Sequence, residues 1–190
     1  MQTENSEEEM GGGFGVKFTD PDFVVKQLDV QAGMKIADFG CGTGYFSLAL
    51  AKKVGEEGVV YSLDILPQRL ESVLSNAKRA NLTNIIAKRV NLENPNGSRL
   101  EANSIDLAVL KGMLFQNKKK KDILAEAARV LKPGGQALVI EWGMANAAMG
   151  PEMQLRISKE ALLGIAQQVG LSAAKEVNVG NFHYGVVLVK

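Results

Sequence analysis

Hydrophobic positions along this chain switch repeatedly between strand-like runs and helical spacing. Met34–Phe39 is a short apolar run of strand type, and Tyr45–Val54 follows as a helix. Gly58–Leu63 is rich in β-branched residues and reads as a strand. Pro67–Ala80 sets Leu70, Val73, Leu74 and Ala77 at helical spacing. Asn84–Val90 and Ile105–Leu110 read as strands. Lys119–Leu131 puts Ile123, Leu124, Ala127, Val130 and Leu131 on one face of a helix. Gly135–Glu141 is a further strand, and Ser158–Val169 a helix capped by Ser158 and ended by Gly170. Ahead of all these, Asp20-Pro21 opens a short helix whose apolar side is Val24, Val25 and Leu28.

Strands alternating with helices predict a parallel sheet covered on both faces. The last two strands, Ser172–Val179 and His183–Val189, break that rule. The few residues around Gly180-Asn181 are too short for a parallel crossover, so this pair is predicted to be an antiparallel hairpin. The pattern shows no internal repeat. Residues 14–190 are expected to form one domain. Residues 1–13 are acidic and then glycine-rich (Glu7, Glu8, Glu9, Gly11, Gly12, Gly13) and are expected to be a flexible lead-in.

Composition narrows the classes. A chain of 190 residues can bury a real core. A net charge of +1 supplies no global field towards nucleic acid or anionic lipid. One cysteine, Cys41, excludes an intramolecular disulfide, and with one histidine a Cys/His zinc site is not expected. No apolar run approaches the roughly 18 residues of a membrane span. Met1–Met10 is polar and acidic rather than basic and then apolar, so a cytoplasmic location is expected.

The most informative stretch runs from Ile36 to Phe46, where an apolar strand enters three alternating glycines and then a helix. Gly40 permits a tight turn, Gly42 lets a ligand approach backbone, and Gly44 lets helix and strand pack closely. A ligand would then sit over the helix N-terminus. By itself such a loop is also an ordinary strand–helix turn. Asp64 adds to it. It ends the second strand, twenty residues beyond Gly44. A carboxylate there can accept both hydroxyls of an adenosine ribose, and it can equally cap the helix at Pro67.

The Asp38-Phe39-Gly40-Cys41-Gly42-Thr43-Gly44 run resembles the first motif of class I S-adenosylmethionine-dependent methyltransferases, in the group containing the ubiquinone/menaquinone and type-11 enzymes. Ser104–Leu110 resembles the family's fourth strand, and Leu131-Lys132-Pro133-Gly134-Gly135 its turn before the fifth. The resemblance covers Met34 to Lys190. It implies a three-layer Rossmann-like α/β sandwich with strand order 3-2-1-4-5-7-6 and strand seven antiparallel. It implies that Gly40, Cys41, Gly42, Thr43 and Gly44 cradle the methionine part of S-adenosyl-L-methionine, with Asp38 near its ammonium. Asp64 would hold the ribose and Ile65 would lie against adenine. Asn91, followed by Leu92, stands where the family usually has Asp, and its carbonyl would accept from the adenine amine. Lys111 and Gly112 would line the pocket beneath the sulfonium.

The remaining candidates are weaker. His183 and Tyr184, beside Glu141 and Trp142, would face the cleft by topology, and His183 has the chemistry of a general base. For His183 a hydrogen-bonded edge residue is the preferred reading, and for Glu141 and Trp142 a packed strand end reads the residues equally well. Cys41 reads as a small buried filler. Lys118–Lys121 reads as a solvated face, with nucleic acid or an anionic substrate as the sharper alternative. An acceptor site is expected between the ends of strands four and five and the hairpin, bounded by Lys111, Met113, Glu141, Trp142, His183 and Tyr184. Met144, Met149 and Met153, with Phe14 and Phe18, would form its pliable lid. The acceptor is expected to be a small molecule, methylated by in-line displacement. Two rivals share these residues: a non-catalytic protein that binds the same cofactor, and a nicotinamide-dependent oxidoreductase. The Gly-x-Gly-x-Gly spacing and the terminal hairpin speak against the second.

Overall fold

The structure is a computed structural model and describes residues 19–145 and 149–190. Seven strands form one sheet in the order β3-β2-β1-β4-β5-β7-β6. They are β1 (Lys35–Phe39), β2 (Val59–Asp64), β3 (Ile85–Arg89), β4 (Ile105–Lys111), β5 (Leu131–Trp142), β6 (Ser172–Val177) and β7 (His183–Val189). The pairs among β1 to β5 are parallel. β7 runs antiparallel to both β5 and β6, as the short connection predicted.

Helices α1 (Pro21–Val25), α2 (Tyr45–Val54) and α3 (Pro67–Arg79) cover one face, and α4 (Lys120–Val130) and α5 (Lys159–Gln168) cover the other. Side chains alternate across the strands, so each strand feeds two cores. Phe39, Leu110 and Val139 pack under α4 and α5 with Leu124 and Leu162. Ile36, Val109 and Leu138 pack under α2 and α3 with Leu50 and Val73. Burial on both faces explains why the inner strands read as continuous apolar runs.

Two caps formed as the sequence predicted. Asp20 accepts from the amides of Asp22 and Phe23, and Ser158 accepts from Ala161. Several boundaries differ: α1 ends at Val25, short of Leu28, and β6 ends at Val177 rather than Val179. β5 begins at Leu131 rather than Gly135, because Leu131 already pairs with Ile105 before the register shifts at Leu107 and Gln136. The Lys-Pro-Gly turn is therefore a bulge within a strand, and Gly134 inside it donates to the carbonyl of the C-terminal Lys190. A 3-10 turn at Met153–Leu155 was not predicted.

β1 is flanked by β2 on one side and β4 on the other. The chain's winding reverses between them, and open α/β sheets bind ligands in the crevice at that point.

Candidate functional site

A cavity of about 730 Å³ opens at that crevice. Its size falls within the roughly 300–1,000 Å³ usual for small-molecule sites. Among the sequence candidates, Asp38, Gly40, Cys41, Gly42, Thr43, Asp64, Ile65, Asn91, Leu92, Lys111 and Gly112 all line it, and so does Met113. Gly44 lies beneath the loop rather than on the cavity wall. It starts α2 with φ 88° and no side chain to cap the helix, and a Cβ there would stand 2.8 Å from Val73 Cγ2. Its role is close packing of α2 and α3. At Gly42, φ is 54° and a Cβ would meet nothing within 4 Å, so that position opens on the cavity.

The loop is fastened from several sides. The amides of Gly40 and Cys41 both donate to the Leu63 carbonyl, at 2.8 and 3.0 Å. Asp64 Oδ2 accepts from the Gly42 amide at 3.1 Å, and Oδ1 accepts from the Leu66 amide at 2.9 Å. Asp64 thus faces the cavity and fastens the turn ahead of α3, but it does not cap that helix, whose N-cap is Leu66 with no side-chain cap. Asn76 of α3 donates to the Thr43 carbonyl at 3.1 Å. Sequence reasoning missed Asn76, which no short-range pattern ties to the loop.

Asp38 is buried at the end of β1. It accepts from Ser47 Oγ at 2.6 Å, and Ser62 Oγ donates onward to Ser47 Oγ at 2.7 Å. Burial raises its pKa to about 6, against the lowering effect of the Ser47 hydrogen bonds. Burial also pushes the Cys41 thiol up, and Asp38 and Asp64 add to that. Cys41 is therefore an uncharged thiol at neutral pH. Asn91 Oδ1 accepts from the Glu93 amide at 3.0 Å, so its carbonyl is already committed to a local turn, with one lone pair left for a ligand. Lys111 is exposed in the cavity, with its pKa lowered by desolvation. Tyr45, Ile65 and Leu66 leave apolar surface at the rim, at 71%, 50% and 50% exposure.

The far half of the expected site is arranged differently. Glu141, Trp142, His183 and Tyr184 do not line the cavity. Strand pairing sets Glu141 beside Tyr184 and Trp142 beside His183. Alternation sends the first pair into the α4/α5 side and the second pair to the α1/α2 side. Glu141 is fully buried. Its Oε1 accepts from the Leu114 amide at 2.6 Å, and burial raises its pKa to about 7. The Tyr184 hydroxyl donates to the Ile157 carbonyl at 3.0 Å. These two candidates are therefore structural supports: Glu141 pins the loop after β4, and Tyr184 pins the start of α5. Neither lines the cavity, although other residues of the same core, Leu92, Met113 and Ile123, do.

The segment after β5 is also less pliable than its methionines suggested. Buried Arg156 donates to the carbonyls of Gly143, Met149 and Pro151, folding the segment back on itself. None of Met144, Met149 and Met153 lines the cavity. Phe14 and Phe18 lie outside the described residues. Of the lysine run, Lys119 Nζ donates to the Glu93 carbonyl and Lys120 Nζ to the Asn117 carbonyl, so two of the four serve the loops at the cavity rim. Among the described residues no cluster of His, Cys, Asp or Glu is arranged for a metal, and no helix is long and apolar enough to cross a membrane.

Comparison with known proteins agrees with this geometry. Residues 30–170 match the model of a family described as methyltransferase domain. The demethylmenaquinone methyltransferase of Shouchella clausii is 35% identical over 121 residues, covering 62% of this chain and 48% of that protein. The enzyme of the same name from Bacillus mycoides is 34% identical over 116 residues, covering 60% and 47%. The chain spans about half the length of the curated relatives it matches. Among solved structures, an S-adenosylmethionine-dependent methyltransferase from Aquifex aeolicus superposes with a TM-score of 0.81 at 24% identity, covering 90% of each chain. A type 11 methyltransferase from Sulfolobus solfataricus, named as putative, superposes at 0.67 and 21% identity, covering 88% of this chain and 87% of that one. At these identities the superpositions establish the fold.

Proposed function

From the premise that this chain belongs to the methyltransferase domain family, and is an S-adenosylmethionine-dependent methyltransferase of the class I fold, we propose that the cavity over β1 and β4 is where methyl transfer occurs, to a small hydroxylated aromatic acceptor. The observation that carries this reading is the continuity of that cavity, from Asp64 across the glycine loop to Lys111 and Gly112. The residues fit the cofactor. Gly42 faces open space, α2 begins without a side-chain cap, and a buried carboxyl stands at Asp38. Bound there, the cofactor supplies an electrophilic methyl group on a sulfonium.

The chain's own residues do the rest. The glycine loop lets backbone approach the ligand, and the bare N-terminus of α2 favours an anionic group such as a carboxylate. Asp38 would receive a cationic group in its charged form, releasing any proton it still holds below about pH 6. Asp64 offers its oxygens to ribose hydroxyls. Ile65 and Leu92 give an apolar slot for a flat base, with Asn91 at its edge. Lys111 stands on the side where the acceptor approaches. Its charge favours an acceptor oxygen that is ionised or partly so. The curated relatives are named for a quinone-class acceptor, and the apolar rim at Tyr45 suits a ring of that kind.

The test is calorimetric titration with S-adenosylhomocysteine, followed by transfer of labelled methyl to 1,4-dihydroxynaphthalene under reducing conditions. S-adenosylhomocysteine should bind at micromolar strength or better, near −8 kcal/mol at about 1 μM. Binding of a nicotinamide cofactor in its place would overturn the reading. Binding without turnover on any acceptor would reduce the protein to a cofactor-binding module.

A further inference from the structure

One nitrogen on the acceptor side has no role in the fold. His183 sits on the sheet face that also carries Asp38 and Lys111, with its ring 4.2 Å from that of Trp142. Its Nε2 is buried and has no hydrogen-bond partner among the described residues. Its other nitrogen is engaged: Nδ1 lies 3.4 Å from Thr19 Oγ1. A threonine hydroxyl has a single hydrogen. Thr19 gives that hydrogen to the Val179 carbonyl at 3.1 Å. Thr19 Oγ1 therefore meets the ring as an acceptor. The tautomer that satisfies both contacts has its proton on Nδ1, which leaves Nε2 with an open lone pair.

The surroundings keep the ring neutral. Burial, with the charges of Lys111 on β4 and Arg156 ahead of α5 adding to it, lowers its pKa to about 4. Thr19 and Lys111 both face the cavity, so the histidine stands behind the wall they form. Lys111 is exposed and its ammonium makes no hydrogen bond among the described residues, so this side chain is the part of that wall able to move.

We propose that His183 is the residue that recognises the methyl acceptor, its Nε2 taking a hydrogen bond from an acceptor hydroxyl as Lys111 moves aside. The inference rests on the methyltransferase reading and deepens it. A neutral imidazole fixed as the Nδ1–H tautomer accepts and cannot donate at Nε2. It therefore selects a hydroxyl over the same group once methylated. The bond also turns the acceptor oxygen towards Lys111, where partial negative charge on it is stabilised.

The chain contains one histidine, so its ring nitrogens give unambiguous ¹⁵N resonances. In the free protein at neutral pH, Nδ1 should appear protonated and Nε2 bare. Adding 1,4-dihydroxynaphthalene to the S-adenosylhomocysteine complex, without oxygen, should shift Nε2 towards its hydrogen-bonded position. 1,4-Dimethoxynaphthalene should not. By calorimetry His183→Phe should bind the diol about tenfold more weakly. His183→Gln should recover part of that, and neither should alter S-adenosylhomocysteine affinity. A protonated Nε2 in the free protein overturns the proposal without need of any variant. So does a diol that binds no better than its dimethyl ether, or that fails to bind the complex. Failure of S-adenosylhomocysteine itself to bind the wild type would instead remove the methyltransferase reading, and that titration is read separately.

Discussion

The two halves of the cavity's sheet edge are built by different means. At β1 and β2 the site is mostly backbone: a glycine loop held by the Leu63 carbonyl, Asp64 and Asn76, with its buried carboxyl, Asp38, satisfied by Ser47. At β5 and β7 the strand ends stand outside the cavity lining and carry side chains instead, two of which keep a buried polar atom unpaired, Glu141 Oε2 and His183 Nε2. Backbone geometry binds one invariant ligand well.

The largest effect expected from breaking this comparison is on the backbone half. Gly44→Ala forces a positive-φ residue against Val73 and should lower stability by about 2–4 kcal/mol. Thermal denaturation would report it. Gly42→Ala, which meets nothing, should keep most of the stability and lose S-adenosylhomocysteine affinity instead. If both variants lose the same property, the division between a packing glycine and a ligand-facing glycine fails.

Next in size is Asp64→Ala. Two charge-assisted hydrogen bonds to the ligand would be lost, together with the bonds to the Gly42 and Leu66 amides. A loss of about 2 kcal/mol in S-adenosylhomocysteine binding is expected in a folded protein. An unchanged dissociation constant would restrict Asp64 to fastening the two turns.

The buried carboxyls set the pH response. Folding raises Asp38 to about 6 and Glu141 to about 7, both by burial. For each, the folded state holds its proton more tightly than the unfolded one. Their contribution is therefore fully present below the unfolded values near 4 and is lost as pH rises through 6 to 7. Glu141→Gln should flatten the stability–pH curve over that interval, by on the order of 2 kcal/mol between its ends. Asp38 should respond to the ligand as well: S-adenosylmethionine affinity should strengthen as pH rises through about 6, with proton release on binding. A flat affinity profile would separate Asp38 from the ligand's cation.

Tyr184→Phe should show the smallest effect. It removes one hydrogen bond to the Ile157 carbonyl, worth about 1 kcal/mol of stability, and should leave ligand binding alone. A large loss of methyl transfer in that variant would return Tyr184 to the acceptor site.

The order of elements, the antiparallel last strand and the glycine loop were legible in the sequence by itself. Each rests on local physics: periodic burial, caps at Asp20 and Ser158, a connection too short for a crossover, and glycines where the backbone must turn. Tertiary structure decided which side chains share a space. Glu141 and His183 stand at paired ends of β5 and β7, and sequence reasoning placed both in the cleft. The pleat sends Glu141 into the opposite core, because neighbours on a strand face opposite ways and register, not residue type, chooses the face. Thr19 and Arg156 were missed for the same reason. Thr19 lies 164 positions from His183, and the value of Arg156 lies in three carbonyls that only the folded loop gathers around it. Local periodicity carries no information about such contacts, since they are fixed by the meeting of elements far apart in the chain.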